Sequence, residues 1–195
     1  IDFSIISFNY QVKNIISNMS NFKTSPIFDA EKNDYYTQKK MWEQVSHIIP
    51  KGSIIWEGCM LNSKSNSIEY LTEIGFETVG DKSWDILTCD IPECDIIVTN
   101  PPFKTALKKQ ILTRLVEIDK PFMIVMNTTN IFSKYMRQIF GENIKHLQLV
   151  IPEQKILFEE YCEEEEKMVK CKKPPSFYCS YVCYKMNIPQ DKLWL

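Results

Sequence analysis

The chain lacks several features that would settle its class at once, and each shortage excludes something. No apolar run comes near the ~20 residues of a membrane-spanning helix, so no such span is expected. Positive charge is not in excess: 23 Lys and Arg face 25 Asp and Glu, for a net charge of -2. A protein held to a polyanion by bulk charge has the opposite balance, so any such binding must use local patches. Seven cysteines (59, 89, 94, 162, 171, 179, 183) include no CxxC pair, and His47 and His146 are remote from them in sequence. That pattern predicts neither a structural metal nor a disulfide framework. It predicts reduced, mostly buried thiols and an intracellular compartment, cytoplasmic or nuclear. No charged-then-apolar segment opens the chain, and a start at Ile1 rather than Met predicts sequence before it.

What is present suits a folded domain. Of 195 residues, 44% are hydrophobic and 12% aromatic, which fits a globular chain with a core of its own. No repeat and no linker divides it. Residues 1–34 are mixed and polar and read as an N-terminal extension, with a short helix within SIISFNYQVKNIISNM; residues 35–195 read as one domain.

Within that domain, strand-like and helix-like segments alternate. Gln38 to Ile49 has helical spacing, with Met41, Trp42, Val45 and Ile49 on one side, and Pro50-Lys51-Gly52 ends it. Ser53 to Gly58 reads as a buried strand and SNSIEYLTEIGF as a helix, capped by Ser65 or Ser67 and stopped by Gly75. Strands are expected at 77–79, 95–99, 121–126, 144–152 and 177–186, and helices at 105–118 and 129–140. The acidic run Glu163 to Glu166 predicts an exposed loop or helix end, and the Lys-rich 167–173 a basic loop. The alternation implies right-handed crossovers and a mostly parallel sheet with helices on both faces. The late strand-like segments imply an antiparallel addition near the C-terminal end.

The segment DIIVTNPPF, Asp95 to Phe103, carries the most chemistry. Ile96, Ile97 and Val98 read as a fully buried strand, and the proline pair stops it, because each ring removes a ladder donor. Asn100-Pro101-Pro102-Phe103 therefore forms a stiff loop at the carboxyl end of a strand, where open α/β sheets bind ligands. Such a loop suits a planar amino group, a poor nucleophile because its lone pair is delocalised. Acceptance of its hydrogens by the Asn100 side-chain oxygen and the Pro101 carbonyl would draw the nitrogen toward tetrahedral geometry and free the lone pair. Phe103 offers a face for a flipped-out base.

DIIVTNPPF resembles the catalytic motif of S-adenosylmethionine-dependent amino-methyltransferases, above all the N6-adenine-specific enzymes of phages, restriction systems and large DNA viruses. The resemblance runs from about Asp34 to Met186: DYYTQKKMWEQVSHIIPKGSIIWEG is similar to that family's entry segment, and LVIPEQKILF with PPSFYCSYVCYKM to its late hairpin. It implies a Rossmann-like methyltransferase fold, S-adenosyl-L-methionine as cofactor and transfer to the exocyclic amine of adenine in DNA or RNA. It further implies that Tyr36 and Thr37 hold the cofactor's methionine end. Glu57 takes the acidic position of the first cofactor motif, with Gly58 after it. Asp81 would accept from the ribose hydroxyls, and Asp85 and Ile86 would contact the cofactor's adenine. Asn100, Pro101, Pro102 and Phe103 would carry the chemistry.

The chain departs from the family in its first motif. WEGCMLNSKSN keeps Gly58, but Leu61, Ser63 and Asn66 stand where glycines are expected, and the whole chain has five glycines. Loss of cofactor binding, in a silent methyltransferase-fold subunit that binds nucleic acid or supports an active partner, therefore stays open. So does methylation of a glutamine amide in protein or a guanine amine, since the same tetrapeptide type serves those nitrogens. Nucleic-acid contacts are expected from Lys104 and Lys108 after the loop and from Lys172 and Lys173, with a partner subunit supplying specificity.

Overall fold

A computed structural model describes residues 35–190 and 192–195; the expected extension at 1–34 and its helix lie outside the described residues. In chain order the elements are β1 (Tyr36–Thr37), α1 (Lys39–Val45), β2 (Ile54–Trp56), α2 (Ser67–Ile74), β3 (Glu77–Val79), β4 (Ile96–Thr99), α3 (Thr105–Ile118) and β5 (Phe122–Asn127). They continue as α4 (Lys134–Phe140), β6 (Leu147–Ile151), β7 (Phe158–Cys162), β8 (Lys167–Lys170), β9 (Cys179–Tyr184) and β10 (Lys192–Trp194).

Seven strands form the main sheet in the order β10-β6-β9-β5-β4-β2-β3. Pairing is parallel from β3 through β2 and β4 to β5, antiparallel on both sides of β9, and parallel again between β6 and β10. This is the expected α/β, Rossmann-like sheet with its antiparallel strand near the C-terminal end. Every residue of β4 and β9 is buried, and so is every residue of β5 except Asn127, as strands covered on both faces must be.

Alternation along these strands sorts side chains between two helical layers. Ile96, Val98, Met123, Val125, Tyr181 and Cys183 pack with Met41, Trp42 and Val45 of α1 and Leu71 of α2. Tyr181 also donates from its hydroxyl to the Met41 carbonyl at 2.6 Å, fastening β9 to α1. On the opposite face, Phe122 stacks on Tyr184 at 5.1 Å between ring centroids, and Phe140 of α4 meets both rings. Full burial of one such side chain contributes about 1.5–3 kcal/mol.

Several local expectations are met. Helix α3 begins and ends where the spacing places it. Helix α2 stops at Gly75, whose left-handed φ of 109° lets its amide reach the Leu71 and Thr72 carbonyls. Other expectations need correction. The segment 129–140 is not one helix: a 3₁₀ turn over Thr128–Phe132 breaks at Ser133 before α4 begins. No side chain caps α2; Asn66 takes the cap position, and Ser65 Oγ instead accepts from the Ser67 amide. The Lys-rich segment is partly strand: β8 pairs with β7 in a hairpin turned at Glu163–Glu166, and β1 adds to β7 as the third strand of a small antiparallel sheet.

Candidate active site

Strand β2 has β3, the next strand in the chain, on one side and β4 on the other. The strand order therefore reverses between β2 and β4, and in open α/β sheets the crevice at the carboxyl ends of such strands is the ligand site. Glu57 follows β2 directly, while Thr99 ends β4 and Asn100 follows it.

Glu57 is only 3% exposed, and its Oε1 accepts from the Thr99 hydroxyl and, at 3.1 Å, from the Cys59 amide. Burial pushes its pKa up to about 7, against the downward pull of hydrogen bonds from Thr99, Cys59 and Ser67. The loop beyond it rests on serines. Ser63 Oγ accepts from the Ser65 amide at 2.9 Å, and the Ser65 and Ser67 hydroxyls lie 2.8 Å apart; all three residues are buried. The left-handed position in this loop belongs to Asn62, at φ 52°, so Leu61 is spared the conformation that a β-carbon disfavours.

Two glycines allow close approach. A β-carbon on Gly58 would meet Ile86 Cδ1 at 2.7 Å, so Ile86 lies directly on this glycine, itself buried. A β-carbon on Gly80 would meet the Glu57 carbonyl oxygen at 2.8 Å. Asp81 follows, exposed, with Oδ1 accepting from the Ser83 amide and hydroxyl, and those bonds hold its pKa down. Asp85 Oδ1 accepts from the Leu87 amide, closing the turn that presents Ile86.

At the proline corner, Pro101 is buried, while Asn100, Pro102 and Phe103 are half-buried. Asn100 Nδ2 donates to the Tyr35 carbonyl at 2.6 Å. A carbonyl can only accept, so this contact fixes which way the amide faces and leaves Oδ1 as its remaining acceptor. Among the described residues, Asn100 Oδ1 is buried and without a partner, and so is Thr37 Oγ1, two residues beyond Tyr35. Tyr36 joins the same neighbourhood from its hydroxyl, which accepts from the Lys64 amide at 3.4 Å. The segment 35–37 is held by β7 pairing and by Gln38 Nε2, which donates to the Phe158 carbonyl at 3.0 Å.

Phe103 sits among aromatic rings: Tyr35 at 5.9 Å, Phe158 at 5.7 Å and Phe177 at 5.3 Å between centroids. An aromatic wall replaces the single stacking face expected from sequence. Its other members went unnoticed because they come from remote stretches of chain.

Lys108 corrects an expectation. It is 4% exposed, with Nζ 3.4 Å from the Phe103 carbonyl it donates to, and desolvation lowers its pKa. It therefore braces the corner from below instead of meeting phosphate. The signal was legible: Leu107, Lys108, Ile111, Leu112 and Leu115 share the inward stripe of α3. Lys104, Lys172 and Lys173 are exposed. Trp56 is in the core and Trp84 is 39% exposed. Among the described residues, no group of His, Cys, Asp and Glu is placed to hold a metal ion, and no helix is long and apolar enough to cross a membrane.

No protein-family model and no curated protein matches the chain. Among solved structures, a methyltransferase from Pyrococcus furiosus overlaps 91% of this chain and 98% of its own, with 13% identity and a TM-score of 0.41. A SAM-dependent O-methyltransferase from Thermotoga maritima overlaps 85% of this chain and 69% of its own, with 11% identity and a TM-score of 0.35. Overlaps this loose assign the chain no reaction.

Proposed function

We propose that this chain is a methyltransferase that uses S-adenosyl-L-methionine to methylate the exocyclic amine of adenine in nucleic acid. One observation carries the reading: Asn100 Oδ1, oriented by the Tyr35 carbonyl, is a buried acceptor without a donor among the described residues at the carboxyl edge of β4. A buried carbonyl left unpaired costs about 1–3 kcal/mol, which a substrate NH2 would recover.

The residues present fit the cofactor. Thr37 Oγ1 is a second buried oxygen without a partner among the described residues, beside Asn100's anchor, where the methionine end would be held by Tyr36 and Thr37. Both bonds from Ser83 fall on Oδ1 of Asp81, leaving Oδ2 for ribose hydroxyls. Glu57 and Gly58 would line the crevice, and Asp85 and Ile86 would meet the adenine ring. When bound, the cofactor supplies a methyl group activated by a sulfonium. The chain's own part is to orient: Asn100 accepts from the amine, and Pro101 and Pro102 keep that acceptor in place, while Phe103 and its neighbours hold the base. Lys104, Lys172 and Lys173 would meet phosphates.

A second reading, a silent methyltransferase-fold subunit acting beside an active partner, has its own observation. Ile86 covers Gly58, the one glycine kept in the first motif, with the chain's own side chain. Calorimetry with the cofactor separates the two, since no heat at millimolar ligand leaves only the silent subunit. Mass analysis of nucleosides after incubation with DNA and with RNA tests the substrate: N6-methyladenosine or its deoxy form is expected. Methylated guanine or protein glutamine instead would redirect the same chemistry to another planar nitrogen.

A further inference from the structure

Phe132 is 85% exposed, the most exposed large hydrophobic residue among the described residues, and nothing in the proposed chemistry uses it. It ends the 3₁₀ turn after β5 and precedes α4, so it leaves the sheet at the same carboxyl edge as Asn100. A second exposed ring, Tyr178 at 69%, joins this edge, because its carbonyl accepts from the Thr128 amide at 3.0 Å.

The charge around Phe132 is one-sided. Between Ile96 and Gly141 the only acidic residues are Glu117 and Asp119, and both lie at the far end of α3. Asp119 is already engaged by Lys185 at 2.7 Å. The near end carries Lys104, Lys109 and Lys134, all exposed, with Lys109 Nζ 5.1 Å from the centre of the Tyr135 ring. Lys155 lies likewise 5.4 Å over Tyr178. A chain of net charge -2 thus gathers exposed rings and the exposed Lys104, Lys109 and Lys134 beside its candidate site, with Lys155 half-buried and donating to the Pro175 carbonyl at 2.5 Å, and keeps the two carboxylates of 96–141 at the other end of α3.

Bare aromatic faces interleaved with ammonium groups match a single strand with unstacked bases, since any base can stack and every phosphate can meet a lysine. A protein partner would instead favour a closed apolar patch with a polar rim. We infer that Phe132 and Tyr178, with Lys109, Lys134 and Lys155, form a platform for single-stranded nucleic acid flanking the target base. This rests on the proposed reading for the identity of the polyanion and extends it to the form of the strand.

Fluorescence anisotropy with short labelled single strands, DNA and RNA in parallel and without cofactor, tests the platform. Phe132→Ala should weaken binding about tenfold, the worth of one stacked base. Its salt dependence should match that of the unaltered chain, and Phe132→Trp should restore affinity. Lys134→Ala should instead flatten the slope of log affinity against log salt by about 0.7. Because Phe132 is exposed, its loss spares the core. Equal affinity for Phe132→Ala and the unaltered chain overturns the platform. A duplex held as tightly as the single strand overturns the strand preference. Absence of binding at about 50 mM salt gives the surface to a protein partner. Because no methyl donor is present, a chain that binds strands but never methylates them would overturn the proposed reaction and leave the platform standing.

Discussion

Asn100 Nδ2 donates to the carbonyl of Tyr35 at 2.6 Å, a contact that spans 65 residues of sequence and sets the direction of the only amide in the proline corner. The bond separates two roles of one side chain: its nitrogen holds position and its oxygen is offered to substrate.

That separation makes the two roles testable. Asn100→Ala should lower methyl transfer at least about 100-fold, the worth of one preorganised transition-state hydrogen bond, with cofactor affinity nearly unchanged. Asn100→Asp keeps an acceptor but sets a carboxylate against the Tyr35 carbonyl, and should cost about 1–3 kcal/mol in urea unfolding. Turnover that survives the alanine variant would remove Asn100 from the chemistry.

Glu57 predicts a pH dependence of stability. Its pKa is about 7 in the fold against 4.5 in a model peptide, because burial disfavours the charged form. Stability from the neutral carboxyl is fully present below pH 4.5 and is lost as pH rises through 7. The difference of 2.5 units, 7 less 4.5, corresponds to about 3 kcal/mol. Glu57→Gln should therefore raise the unfolding free energy at pH 8.5 relative to its effect at pH 4, the neutral amide still accepting from Thr99. An identical effect at both values would show that the charge is not resisted.

Asp81→Ala should weaken cofactor binding about tenfold by calorimetry, the loss of a hydrogen bond to a charged acceptor. The residue is exposed and bonds only within its own turn, so the fold should be spared. An unchanged dissociation constant would detach Asp81 from the ribose.

Lys108→Met should leave the salt dependence of nucleic-acid binding unaltered, whereas Lys104→Ala should reduce its slope, because only the second side chain reaches solvent. Equal slopes for both variants would return Lys108 to the surface.

The pattern of legibility follows from how far each constraint reaches along the chain. Helix α3 and the carboxyl ends of β2 and β4 were readable because periodicity, prolines and the acidic residue are local signals. The β7–β8 hairpin was poorly marked, since Phe158–Cys162 and Lys167–Lys170 carry charges at four of their nine positions and bury only Phe158 fully. Lys108 was misjudged on its charge, although its helical phase pointed inward. The Tyr35 anchor and the rings around Phe103 left no local trace, being contacts between distant segments. Loss of the usual glycines drew attention to Leu61, yet the strain falls one residue later, on Asn62.

The pairing of β1 with β7 gives the site a timetable during synthesis. Tyr35 is held beside Asn100 through a strand that begins at Phe158, so the asparagine is made long before the partner that steadies its anchor. On the ribosome the corner would wait for the β7–β8 hairpin, and a nascent chain stalled before that hairpin would carry the motif without its alignment.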